Sequence, residues 1–163
     1  MTAHLPRTRD GVLQLERTGP FVPPVTLAGV GDLLVTDAFR VRLEQAPLAG
    51  LRFRPVEKAR IVRLEWERWD QADDEPQEYP DGGEPEDYIL GRPHDPELAA
   101  QIGPLWEVVL PGIAEQAEAD LVRDEPATRH IYASPHARDW LGQHAGEWLT
   151  FSDTPSASTD AKA

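Results

Sequence analysis

The sequence predicts an α+β fold: a mixed or antiparallel sheet with several short helices and a strand-helix-strand unit that occurs twice. Three observations lead there. A chain of 163 residues, 40% of them apolar, can bury one real core but is too short for two. Period-two apolar alternation in one segment stands beside helical stripes in others. Finally, Leu33-Leu34-Val35, Thr36, AFRVRLEQ and Leu51-Arg52-Phe53 lie without a gap over Ile131-Tyr132-Ala133, Ser134, HARDWLGQ and Leu149-Thr150-Phe151. Arg40 falls on Arg138, Leu43 on Leu141, Gln45 on Gln143, Leu51 on Leu149 and Phe53 on Phe151.

Residues 1–24 read as an N-terminal arm, rich in Pro, Gly, Thr and Arg, in which Val12, Leu13 and Leu15 form a short strand before the Gly19-Pro20 and Pro23-Pro24 breaks. The domain proper is expected over residues 25–151. It opens with the apolar stretch Val25 to Val35, too short to span a bilayer and interrupted by Asp32, with Gly29-Val30-Gly31 as a turn. Thr36 and Ser134 each precede a helix whose first free amides a hydroxyl can cap, with Asp37 and Pro135 at the first helical position. Phe39, Leu43 and Ala46 make one apolar stripe, and Ala137, Trp140, Leu141 and His144 the other. Two such units packing on one sheet are expected.

The clearest strand is RIVRLEWERW, residues 60–69, where Val62, Leu64 and Trp66 alternate with Arg63, Glu65 and Glu67. A long acidic loop, residues 70–87, follows. Asp95-Pro96-Glu97 reads as cap, N1 proline and acidic first turn of a short helix ended by Gly103-Pro104. Leu105 to Leu110 suits either a strand or a helical turn, and Pro111 terminates either one. The run IAEQAEADLV, Ile113 to Val122, is helical by propensity. Residues 152–163 hold no large apolar side chain and are expected to be a disordered tail.

Composition narrows function. With no cysteine there is no disulfide framework, thiolate zinc site, iron-sulfur cluster or cysteine nucleophile. Twenty-nine Asp and Glu against sixteen Lys and Arg, a net charge of -13, argue against nucleic acid and anionic membranes as partners. The opening residues carry no basic segment followed by an apolar run, so a cytoplasmic protein is expected. No phosphate-cradling Gly-rich loop, His-Glu-x-x-His or Gly-x-Ser-x-Gly occurs.

Three constellations remain. Ser134, His136 and Asp139 have the residue types of a catalytic triad, but a hydroxyl at a helix start is better employed as a cap. Glu84, Glu86, Asp87, His94 and Asp95 are hard-ligand candidates for calcium, magnesium or manganese and define the alternative function, a divalent-metal-dependent hydrolase. Trp66, Trp69, Trp106, Trp140 and Trp148 read mostly as core, Trp69 being the exception. With Tyr79, Tyr88 and Asp70, Asp73, Asp74, Glu75, Glu78, Asp81, Glu84, Glu86 and Asp87 it makes an aromatic and acidic surface for a basic protein. The expectation is a non-catalytic binding protein without cofactor or metal.

The words GPFVPPVTLAGVGDLLVTDAFRVRLEQAPLAGLRFRPV, GEPEDYILGRPHD and IYASPHARDWL carry a resemblance over Phe21 to Phe151. They resemble a bacterial family distantly similar to polymorphic-toxin immunity proteins of the double CxxCG kind. The resemblance implies a non-catalytic antidote that binds and blocks a toxin domain. Because this chain has no cysteine, the paired CxxCG knuckle is absent and no functional residue carries over.

Overall fold

The computed structural model describes residues 5–19, 21–28, 31–63, 91–115, 118–124 and 130–154. Among them are eight strands and three helices, in the order β1 (Gln14–Thr18), β2 (Val25–Ala28), β3 (Asp32–Thr36), α1 (Asp37–Glu44), β4 (Phe53–Pro55), β5 (Glu57–Val62), α2 (Pro96–Ile102), β6 (Leu105–Val108), β7 (Leu121–Arg123), β8 (Ile131–Ala133) and α3 (Pro135–Ala145). The fold is α+β, with parallel and antiparallel pairing both present.

Its centre is an antiparallel sheet of order β2-β3-β6-β4. Alternation along β3 explains why its sequence is apolar without a break. Leu33 and Val35 face one cluster with Val108, and Leu34 faces another with Leu105, so both sides of the strand are covered. On the first side α1 and α3 supply Phe39, Leu43, Ala137, Leu141 and Ala145. The two helices touch through Phe39 and Trp140, whose ring centroids are 6.1 Å apart. On the second side lies the N-terminal segment, where Leu13 and Leu15 are buried with Ala28, Leu34 and Leu105. The segment read as an arm thus contributes a strand and two core side chains.

One extended stretch serves two sheets. Up to Val56, whose amide donates to the Leu105 carbonyl at 3.0 Å, the chain pairs with β6. From Glu57, whose amide donates to the Leu13 carbonyl at 3.0 Å, it pairs in parallel with β1. The strand therefore begins three residues before the predicted Arg60, and its continuation over residues 64–69 lies outside the described residues. Ile61 and Val62 are both buried, which departs from the one-sided alternation. The cause is α2, whose Leu98 and Ala99 cover Ile61. Lys58 clamps the end of that helix by donating to the carbonyls of Ala99 and Gly103.

All three caps form as the sequence predicts. Phe39 donates its amide to Thr36 Oγ1 at 3.4 Å, Leu98 to Asp95 Oδ1 at 2.8 Å and Ala137 to Ser134 Oγ at 3.0 Å. Gly103, with φ of 71°, ends α2 in a conformation that disfavours any Cβ. The open choice at Leu105 is settled as a strand, because residues 105–108 pair on both sides with β3 and β4.

The predicted helix over Ile113 to Val122 is a correction. Residues 113–115 are a turn and Leu121–Arg123 is strand β7, paired with β8. Propensity alone cannot hold a ten-residue helix in water, and two tertiary interactions oppose it here. The Arg123 amide donates to the Pro111 carbonyl at 2.9 Å, and Leu121 buries in the main core. The repeat holds for its strand, cap and helix in both copies. Its last part does not, since Leu149 and Phe151 pack on the core without forming a strand, and β8 pairs with β7 rather than joining the central sheet.

Candidate functional site

The predicted binding surface, Trp69, Asp70, Asp73, Asp74, Glu75, Glu78, Tyr79, Asp81, Glu84, Glu86, Asp87 and Tyr88, lies outside the described residues, as do the metal candidates Glu84, Glu86 and Asp87. The described chain before and after it, β5 and the segment before α2, is bonded together. The Asp95 amide donates to the Ile61 carbonyl at 2.7 Å.

His94 and Asp95 stand at this junction, beside a cleft of about 480 Å³ that Val62, Arg63, Arg92, Pro93 and Pro96 complete. Both side chains already hold backbone. His94 Nδ1 accepts the Ile61 amide at 3.0 Å, so in the neutral ring the proton sits on Nε2. Asp95 gives one oxygen to the Leu98 amide and the other to Arg63 Nε at 2.8 Å. The Leu98 bond, with Arg63 assisting, keeps its carboxyl below the usual carboxylate range. Among the described residues no three His, Asp or Glu side chains converge as metal ligands would.

Ser134 and His136 do meet a carboxylate, but it is Asp120 rather than Asp139. Ser134 donates its hydroxyl proton to Asp120 Oδ1 while accepting the Ala137 amide, and His136 Nδ1 stands 3.8 Å from the same carboxylate oxygen. The second oxygen of Asp120 accepts the Ala49 amide at 2.6 Å. Burial raises the Asp120 carboxyl, yet the bonds from Ser134 and Ala49, helped by His136, outweigh it and hold the group below its ordinary value. A nucleophilic serine needs its proton directed at a base that is free to take it. Here the order is inverted: the hydroxyl serves the carboxylate, and the cluster ties the start of α3 to the α1–β4 loop.

A second charged cluster had no signature in the sequence. Glu107, 5% exposed, takes both Arg7 Nη atoms at 2.8 Å, and Arg7 also reaches Asp32 Oδ1 at 2.9 Å. Chiefly because of its bonds to Glu107, the Arg7 guanidinium is held more firmly protonated than usual. Arg54, opposite Glu107 in the strand register, donates instead to the Gly11 carbonyl at 2.7 Å. Together these bonds fasten residues 7–11 over the sheet. Alternation of Trp106 with Val108 puts Glu107 on the other face of β6, with Leu105, and it is the N-terminal segment packed over that face that buries it.

Of the three described tryptophans, Trp106 and Trp140 serve the core. Trp106 donates Nε1–H to Asp37 Oδ1 at 2.9 Å, and Trp140 stacks on His144 with centroids 4.1 Å apart. Trp148 differs: it is 38% exposed and in ring contact with Phe21, itself 59% exposed. Sequence reasoning singled out Trp69 and passed over this pair, because Phe21 and Trp148 come from opposite ends of the chain. No helix among the described residues is long and apolar enough to cross a membrane. No family model, curated protein or solved structure matches the chain.

Proposed function

We propose that the chain is a non-catalytic, cytoplasmic binding protein whose acidic stretch engages a basic protein, of the kind that immunity proteins make with a toxin domain. One observation carries this reading. Residues 70–87 hold nine acidic side chains and no basic one, and so supply nine of the thirteen excess negative charges of the whole chain. A charge concentration of that density steers a cationic surface into encounter, and Trp69, Tyr79 and Tyr88 are the residue types that anchor it once there. Further support comes from the described side chains with catalytic residue types. Ser134 caps α3 and donates to Asp120, Asp95 caps α2 and pairs with Arg63, and His94 Nδ1 accepts a backbone amide.

The test is capture of partners by the tagged protein from its own cell lysate at low and at moderate salt, with identification by mass spectrometry. A stoichiometric basic protein that weakens with salt is expected. A variant with Asp70, Asp73, Asp74 and Glu75 replaced by Asn and Gln then associates more slowly with that protein and loses much of the salt dependence. Unchanged association kinetics in the variant would sink the proposal.

A further inference from the structure

The Phe21 and Trp148 rings form an exposed platform that the core does not require. Their centroids are 5.7 Å apart with planes at 44°, within the range of favourable aromatic pairs. Each ring is held from behind. Trp148 donates its backbone amide to the Ala145 carbonyl at 2.9 Å, closing the last turn of α3, and the following Leu149 and Phe151 are fixed in the main core. The turn that carries it outward is made at Gly146, where a Cβ would stand 2.4 Å from the Gly142 carbonyl oxygen, so the chain passes too close for another residue without shifting. Phe21 precedes Val22, which packs on the second core cluster, and Val25, which is buried in the first.

The chemistry beside the rings is anionic. Glu147 accepts the Trp148 indole N–H on Oε1 at 2.8 Å, which sets a carboxylate at the edge of the indole. Asp153, a few residues on in the sequence, is spent on an ion pair with Arg138 at 3.1 Å, so Glu147 is the carboxylate at the rings, in a chain that is strongly negative as a whole. An aromatic face with a carboxylate at its rim attracts a guanidinium, which stacks on the π-surface while donating hydrogen bonds to the acid. The two rings already pack on each other, which lowers the side-chain entropy that docking costs.

We infer that Phe21, Trp148 and Glu147 form a docking point for an arginine side chain of a basic protein partner. The inference rests on the binding-protein reading and adds to it a second contact, made by residues other than 70–87.

The experiment uses the full chain with hexa-arginine as probe, followed by ¹H–¹⁵N NMR including the indole resonances. At low salt the Trp148 indole signal and the Glu147 and Phe21 amides are expected to shift saturably. Trp148→Ala weakens binding about two- to fivefold, the effect of one exposed cation–π contact, Trp148→Phe recovers most of it, and Glu147→Gln weakens it as well. Circular dichroism establishes that each variant is folded, and Phe21→Ala gives an independent test should Trp148→Ala fail to fold. Peptide shifts confined to residues 70–87, with the Trp148 indole unmoved, would overturn the docking point and leave the acidic reading standing. Absence of any binding at low salt would remove both.

Discussion

Removing Arg7 should cost more stability than neutralising the glutamate it pairs with. In Arg7→Ala, Glu107 loses two charge-assisted bonds of 2.8 Å while staying 5% exposed on the inner side of β6. One-sided rupture of a buried pair costs about 3–5 kcal/mol, because a charge is left without compensation. Here the Arg7 side chain is 34% exposed, so water enters the vacated space and the expected cost falls to about 2–3 kcal/mol. Glu107→Gln leaves an amide oxygen to accept from Arg7, and Arg7 keeps Asp32 at 2.9 Å, so about 1 kcal/mol is expected. Urea unfolding at pH 7 reads both, with the slope unchanged between variants. In a thermal melt 2 kcal/mol corresponds to roughly 4–8 °C for a chain of this size. The double change Arg7→Met with Glu107→Leu should recover much of the loss, since neither charge then remains to be desolvated. If Glu107→Gln proved the costlier change, or Arg7→Ala cost under about 1 kcal/mol, the clamp would not be what holds the N-terminal segment to the sheet.

Other expectations follow from the same bonds. Ser134→Ala should destabilise by about 1–2 kcal/mol and Thr36→Ala by less, because the Ser134 cap is shorter and also serves Asp120, and parallel denaturation curves rank the two. The Asp120 carboxyl, held below its ordinary value, contributes stability that is present above the pKa of an unfolded aspartate, about 3.9, and is lost as pH falls through the lower folded value. Asp120→Asn should therefore be less stable than the parent at pH 7 and nearly level with it at pH 2; an equal gap at both pH values would contradict the assignment. Arg17, whose guanidinium burial pushes below its usual value, has a buried Nε with no hydrogen-bond partner among the described residues. Arg17→Met should be neutral or stabilising by up to about 1 kcal/mol in the same urea assay, since it removes a partly desolvated guanidinium whose Nε has no partner among the described residues.

What could be read from the sequence alone is what depends on neighbours three or four residues apart. Thr36, Asp95 and Ser134 announce their helices because a side-chain oxygen reaches the amide three residues on, whatever the rest of the chain does. The same locality made Leu33-Leu34-Val35 legible as a strand and Gly103 as a helix end. Tertiary structure decided the remainder. Ile113 to Val122 has helical composition, yet the gain from burying Leu121 and pairing with β8 exceeds a propensity worth a fraction of a kcal/mol per residue. The parallel pairing of β1 with β5, the grip of Arg7 on Glu107, the bond from Ser134 to Asp120 and the Phe21–Trp148 platform all join residues distant in the chain. Their energies arise only once the fold has removed water from between them, so no local pattern foreshadows them.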